Sequence, residues 1–431
     1  MALTGRAGLL ALLGALAVGL LVPAWWGLVL VTGLLVVLVC VDVALAGSVR
    51  ALHLDRSGDV AVRLGEPAAV SLRVGNVSRR RVRGRVRDAW PPSAGAARQR
   101  HALDVPPGES RQVVTTMRPT RRGDRFAHRV TIRSLGPLGI AGRQGSHEVP
   151  WRVRVLPPFT SRKHLPSKLA RLRQLDGRAS VMIRGQGTEF DSLREYVVGD
   201  DVRSIDWRAS ARAADVMVRT WRPERDRRIL LVLDTGRTSA GRVGDAPRLD
   251  AAMDAALLLA ALASRAGDRV DLLAYDRRVR ARVEGVTGSE LLPALVEAMA
   301  PLEPTLVEPD YAGLVSTVLA RMSRQSLVVL LTGLDATPVR EGLLPSLPML
   351  ARRHRVIVAS VGDPRVDAMA AGRGDAEAVY DAAAAERAKA DRDQVGELLS
   401  RRGVEVVDGS PDQLPPMLAD RYLALKAAGR L

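Results

Sequence analysis

A chain of 431 residues is long enough for two or three domains of ~100–200 residues, which excludes a small stapled scaffold. Hydrophobic residues make up 47% and recur in periodic blocks, excluding bulk disorder, and a single cysteine, Cys40, excludes intrachain disulfides and cysteine-cage metal sites. Basic residues outnumber acidic ones 64 to 47, a net charge of +17; that excess suits nucleic acid or an anionic membrane surface, or is simply arginine-rich composition, since lysine occurs only at Lys163, Lys168, Lys389 and Lys426.

From Ala7 to Ala46 the sole charged side chain is Asp42. The run exceeds the ~20 residues that one helix needs to cross the hydrocarbon, and two spans divided at Pro23 fit it better: about Leu3 or Ala7 to Val22, and about Trp25 to Ala46. Ala24-Trp25-Trp26-Gly27 reads as an interfacial turn, where indole rings suit the headgroup level. A secretory signal peptide is the alternative for the first span, and the second apolar run argues against it. Arg6 precedes the pair, Arg50 and Arg56 follow it, and the turn carries no Lys or Arg, so both ends are expected in the cytoplasm of a two-pass plasma-membrane protein. Asp42 is expected to snorkel to the interface, and Cys40 to face lipid or a helix.

Residues 51–157 change to short alternating runs: Val60–Leu64, Val70–Val74, Val82–Val86, Val113–Met117, Arg129–Arg133 and Val153–Leu156. Period-two patterning between Gly, Pro and Asn predicts half-buried antiparallel strands in an all-β, immunoglobulin-like sandwich. Arg79–Arg87 is the densest basic segment; it reads as a solvated strand face, with contact to lipid phosphate as the functional alternative.

Residues 158–226 hold a linker helix and a charged stretch. Leu165, Leu169, Leu172 and Leu175 recur at helical spacing, which predicts a helix docked on a neighbour. Gly185 to Ala211 then reads GQGTEFDSLREYVVGDDVRSIDWRASA. Closely alternating charges predict arginine–carboxylate pairs that hold a loop-rich segment in shape, with Tyr196 and Trp207 as apolar anchors. As a surface for a partner, the candidate residues are Arg194, Glu195, Tyr196, Asp200, Asp201, Asp206, Trp207 and Arg208.

This stretch from Glu189 to Ala211, the Arg121–Gly142 segment with Leu135-Gly136-Pro137-Leu138-Gly139, and the closing Asp408–Leu431 segment resemble the bacterial domain-of-unknown-function 58 family. The resemblance implies a membrane hairpin and a β-rich region joined to a von Willebrand factor A-like domain. It also implies a MoxR-type AAA+ ATPase as the class of partner.

Residues 227–431 alternate strands and helices on their own pattern: strand Ile229–Leu233, helix from about Arg248 to Ala266, strand Val270–Tyr275, helices Leu291–Met299 and Tyr311–Met322, strands Leu327–Leu331 and Val356–Val361, an Ala-rich helix around Ala376–Arg401 and strand Val404–Val407. Such alternation predicts an α/β domain with a doubly wound parallel sheet that binds ligands at the strands' carboxyl ends. In von Willebrand A domains that edge carries a metal-ion-dependent adhesion site, so the likeness implies hard oxygen ligands for Mg²⁺. Asp234 and Thr238 match its first motif, Gly236 stands where a hydroxyl belongs, Thr305 is the nearest candidate in the later loop with Asp310 nearby, and Gly333 stands where an Asp belongs, with Asp335 two residues on. Arg237 adds positive charge against a dication, so no cofactor is expected and Mg²⁺ is the one ion to test.

There is no Walker A motif, nucleophile elbow or HExxH helix, and the His residues are scattered. Gly185-Gln186-Gly187 begins like a dinucleotide loop, but Phe190 stands at the third glycine position. The leading expectation is a membrane-tethered, non-enzymatic protein-interaction module which, as the family resemblance implies, works with a MoxR-type ATPase in a chaperone-like or assembly role. The alternatives are a metal-dependent hydrolase using Asp200, Asp201 and Asp206, and a basic protein binding nucleic acid or anionic lipid. An aromatic content of 3% leaves few stacking platforms for nucleic acid.

Overall fold

The computed structural model describes residues 1–21, 24–182, 189–213, 215–222 and 227–431. They form two compact units, Met1–Leu156 and Pro157–Leu431. Pro23, the expected dividing residue, and Gly185–Thr188 lie outside the described residues.

The first unit opens with helices α1 (Gly5–Leu21) and α2 (Trp25–Leu45), which pack on each other where Gly14 leaves room for Val31. α2 is 21 residues long, and its most apolar 18-residue stretch has a mean hydropathy of 2.9, enough to span ~30 Å, while α1 is shorter. Cys40 is exposed on α2.

Eight strands follow: β1 (Leu52–Gly58), β2 (Ala61–Arg63), β3 (Ala68–Asn76), β4 (Val82–Asp88), β5 (Arg100–Val105), β6 (Ser110–Met117), β7 (Gly123–Leu135) and β8 (Ala141–Leu156). One sheet runs β8-β7-β4-β5, with the residues Ala2–Leu3 added along β8; the other runs β1-β3-β6. Alternation explains the burial: in β3, Ala68, Val70, Leu72 and Val74 point inward while their neighbours do not. Two details depart from the sequence reading. β2 pairs parallel with β8 rather than antiparallel, and β7 and β8 form one long hairpin of which only Arg129–Arg133 and Val153–Leu156 were foreseen.

The sandwich interior also holds an ion pair. Arg56, one of the arginines counted as following the membrane segment, is buried: it donates to Asp88 and to the Ala127 carbonyl at 2.9 Å. Trp90 Nε1 and Thr115 Oγ1 complete the Asp88 shell at 2.9 and 3.0 Å, so the buried charges are matched rather than stranded.

Asp42 corrects a second expectation. It does not snorkel; it is fully buried and accepts the backbone N–H groups of Leu138, Ile140 and Ala141 at 2.8–2.9 Å. The turn between β7 and β8 thus wraps the carboxylate, and Gly136 is required there because a Cβ would lie 2.1 Å from Asp42 Oδ1. Thr4 donates to the same turn, and Arg143 Nε donates to the Val43 carbonyl at 3.0 Å.

In the second unit, α3 (Leu165–Met182) packs against α5 (Arg248–Arg265) and the closing helix α10 (Leu414–Ala427), and Lys168 pairs with Asp420 at 2.7 Å. Because α5 lies against both helices and the sheet, it is buried continuously from Ala252 to Ala263.

The charged stretch folds as strand β9 (Glu189–Glu195), a 3₁₀ turn, the short helix α4 (Trp207–Ala213) and strand β10 (Met217–Arg222), which pairs antiparallel with β9.

The main sheet contains β11 (Arg228–Asp234), β12 (Arg269–Tyr275), β13 (Val279–Val283), β14 (Leu327–Leu331), β15 (Arg355–Val361) and β16 (Glu405–Gly409), in the order β13-β12-β11-β14-β15-β16. All neighbours are parallel except the edge strand β13, which the sequence pattern did not reveal. β11 is apolar without alternation because it is central and covered on both faces. The intervening helices are α6 (Leu291–Met299), α7 (Tyr311–Arg321), α8 (Leu344–Ala351) and α9 (Ala376–Arg401).

Candidate functional site

The parallel strands deliver Asp234 at the end of β11 and Thr332 just past β14 to the same edge. Asp234 is buried, and its carboxylate is the hub of a hydroxyl cluster. Its Oδ2 accepts from Thr238 Oγ1 at 2.6 Å and Thr332 Oγ1 at 2.5 Å, and its Oδ1 accepts from the Gly236 N–H at 2.7 Å. Tyr311, the first residue of α7, lies 3.1 Å from the Thr332 hydroxyl. Burial pushes the Asp234 carboxyl above the usual range, opposed by the Thr238, Thr332 and Gly236 hydrogen bonds. Burial and the neighbouring Asp234 charge push the Tyr311 phenol upward as well.

The cation at this edge is Arg248, the first residue of α5, not Arg237. Arg248 Nη1 donates to the Thr238 carbonyl at 3.0 Å and to Asp335 Oδ2 at 3.1 Å. A Cβ on Gly333 would meet Asp335 Oδ2 at 2.5 Å and Arg248 Nη1 at 2.9 Å, so a side chain at the position where an acidic ligand was expected would have to displace that ion pair. Arg237 is exposed and pairs with Glu308 at 2.9 Å.

Of the expected metal ligands, Asp234 and Thr238 are in direct contact, and Asp335 joins them through Arg248. Thr305 instead donates toward Asp276 Oδ2 at 3.0 Å and the Thr235 carbonyl at 3.1 Å, and Asp310 caps α7 through the Gly313 N–H at 2.9 Å. These residues do not fit a divalent cation. Both Asp234 oxygens already accept protein donors, a hydroxyl ligand is replaced by Gly236, and a guanidinium lies beside Thr238 and Asp335. Among the described residues, no three His, Cys, Asp or Glu side chains converge to hold a metal.

Beside this cluster opens a cavity of about 810 Å³, lined by Arg237, Thr238, Arg248, Asp335 and Glu341 among others. That size suits a ligand or an inserted side chain. Its wall includes the π-helical turn Pro338–Leu343, whose Gly342 backbone sits against the Tyr311 ring. Neither this turn nor Arg248 was foreseen from sequence. The signal for Arg248 was its place directly after Pro247, at the amino end of an apolar helix.

In the charged module, Arg194 pairs with Asp200 at 2.7 Å, and Asp200 also accepts the Val197 N–H. Asp206 caps α4 by accepting the Arg208 and Ala209 N–H groups and pairs with Arg219 at 2.8 Å. Those donors, the Ala209 amide foremost, hold the Asp206 carboxyl below its usual range. Asp201 caps the 3₁₀ turn. The side chains of Glu195 and Arg208 are exposed, and Tyr196 is half-buried. Trp207 is not the anchor expected: it is 72% exposed, and Val198 is 95% exposed. The α4 helix begins at Trp207 under the Asp206 cap, which leaves the indole outside.

Curated relatives in Mycobacterium bovis and Mycobacterium tuberculosis are described as uncharacterized proteins. They are 28% identical to this chain over 186 residues, 43% of it, and the chain spans 58% of their length. Among solved structures, the CARDB domain of the PF1109 protein from Pyrococcus furiosus aligns with 26% of this chain and 91% of its own, at 16% identity and a TM-score of 0.19. A beta-glucosidase from Listeria innocua aligns with 24% of this chain and 16% of its own, at 14% identity and a TM-score of 0.16. Residues 192–395, which hold most of the charged module and the Asp234 edge, match the family described as "Protein of unknown function DUF58".

Proposed function

We propose that the protein is a membrane-tethered, non-enzymatic interaction module with a von Willebrand A-like second unit. On this reading, the strand-end cavity and the exposed Trp207–Val198 surface receive a protein partner, a MoxR-type AAA+ ATPase.

The observation that carries it is how the acidic groups are occupied. Asp234 is held by hydroxyls and an amide, Asp335 by Arg248, Asp200 by Arg194, and Asp206 by Arg219 and the α4 amides. General acid–base or metal chemistry needs a carboxylate held open for substrate or ion. These instead shape a surface, which weighs against the hydrolase reading of Asp200, Asp201 and Asp206.

For the anchor, we read α1 and α2 as a two-pass hairpin. Ala2–Leu3 pairs with β8 and Asp42 binds the β7–β8 turn, which supports both ends lying on one side of the bilayer. Arg79, Arg80 and Arg143 at the end of α2 favour the cytoplasmic side. Tethering there raises the local concentration of the module toward a membrane-bound assembly.

The test is capture of a purified MoxR-type ATPase by the detergent-solubilised full-length protein. Trp207→Ala and Arg248→Met are expected to weaken capture at least tenfold while membrane insertion persists. Undiminished capture by both variants overturns the reading.

A further inference from the structure

We propose that a concavity at the foot of α2 binds the phosphate of an anionic lipid headgroup. This rests on the membrane reading of α1 and α2.

The cavity, about 400 Å³, is lined by Arg79, Arg80, Arg143, Ser48, Ser78 and the small side chains that end α2. Among the described residues, no carboxylate lines it. Two of its guanidiniums are fixed: Arg143 Nε donates to the Val43 carbonyl at 3.0 Å, and Arg80 Nη1 donates to the Ala44 carbonyl. These are carbonyls of the last helical turn, which carry the negative end of the helix dipole. Each guanidinium spends one N–H there and keeps the rest of its fork.

The loop that bears Arg79 and Arg80 is also fixed. Buried Asn76 donates to the Arg80 carbonyl at 2.9 Å and accepts from the Ser78 N–H at 3.0 Å and hydroxyl at 2.6 Å. The chain between the lining residues Ala46 and Ser48 packs tightly on the same loop, since a Cβ on Gly47 would fall 2.6 Å from the Arg81 carbonyl oxygen.

The neighbouring cations are treated differently. Arg81 is paired through two bonds with Asp104, and Arg111 with Glu109. Among the described residues, Arg79, Arg80 and Arg143 have no carboxylate partner. Three arginines lining one concavity without a counter-ion among the described residues match a phosphate, which accepts several N–H bonds in a fork geometry.

The position selects a lipid as the source. The apolar exposed flank of α2, from Leu28 to Leu45, ends where this cavity begins, and Val77 beside it is exposed. A headgroup in the cavity would therefore leave its acyl chains along α2. A basic residue at an anionic surface contributes about five-fold in affinity.

The test uses full-length protein in neutral detergent. Bound lipid is read by native mass spectrometry after addition of phosphatidylglycerol, phosphatidylcholine or inorganic phosphate. Phosphatidylglycerol is expected to be retained at least tenfold over phosphatidylcholine. Arg79→Gln, whose side chain makes no hydrogen bond among the described residues, should lower that preference about five-fold. The Arg80→Gln/Arg143→Gln pair should abolish it, and Arg87→Gln, remote on β4, should leave it unchanged.

Equal losses in Arg79→Gln and Arg87→Gln would reduce the effect to diffuse charge and overturn the site. Inorganic phosphate binding as well as phosphatidylglycerol would overturn the lipid as source. Carbonate extraction separates the two readings: release of wild-type protein from membranes refutes the anchor, whereas retained protein with no anionic preference refutes the site alone.

Discussion

Two buried carboxylates organise the two units, and they are solvated in opposite ways. Asp42 is surrounded by main-chain N–H groups of one tight turn, while Asp234 is surrounded by the hydroxyls of Thr238 and Thr332 and a single amide. An N–H is a fixed donor, so the Asp42 shell accepts nothing but an oxygen acceptor. A hydroxyl rotates and serves as donor or acceptor, so the Asp234 shell can adapt to a different group. One acid behaves as a rivet between a helix and a hairpin, the other as the adjustable centre of a strand-end surface.

The largest effect follows from the rivet. Asp42→Ala leaves three N–H groups, two of them buried, without an acceptor and is expected to destabilise the first unit by about 3–5 kcal/mol. Limited proteolysis in detergent, with cleavage followed in the Gly136–Gly142 turn, reads the loss. A turn as protected as in the wild type would break the comparison.

Asparagine sharpens it. Asp42→Asn places an N–H₂ against fixed N–H donors and should cost about 2 kcal/mol, whereas Asp234→Asn should stay within about 1 kcal/mol of the wild type because Thr238 and Thr332 can reorient. Thermal unfolding of both variants decides this, and equal losses would show that hydroxyl rotation does not matter.

A pH titration separates two further carboxyls by sign. Asp124 is held below the usual range by hydrogen bonding and charge from Arg154, so its contribution is complete above the unfolded value near 4 and is lost as pH falls through the depressed folded value. Asp234 is raised by burial, so the native state binds its proton first, and its contribution grows as pH falls through the folded value toward the unfolded one. The stability difference between wild type and Asp124→Asn should shrink on acidification. For Asp234→Asn the difference should move in the wild type's favour, and parallel pH profiles in both cases would contradict these assignments.

The smallest expected change is at Trp207. With its indole 72% exposed, Trp207→Ala should alter stability by less than about 0.5 kcal/mol, measured by denaturant unfolding. A larger loss would mean that the side chain packs inward after all.

Local patterning carried much of the architecture. Continuous apolar runs identified β11 and β14, helical spacing identified α3, and alternation identified most strands of the sandwich, because burial imposes periods of two or 3.6 on any chain that forms these elements. The edge strand β13 escaped because Val279–Val283 interleaves arginines that an edge tolerates. The candidate list also contained Asp234 and Asp335, which lie at this strand edge, with Thr238 between them in the chain.

Their roles were set by residues far away in sequence. Arg248 comes to the Asp234 edge only through the packing of α5, and Gly136 comes to Asp42 only because β7 and β8 form a hairpin that returns to the foot of α2. A single chain position advertises its charge and its period. Whether that charge meets an amide, a hydroxyl or a guanidinium depends on contacts across 10 to nearly 100 residues, and those arise only when the sheets and helices close on one another.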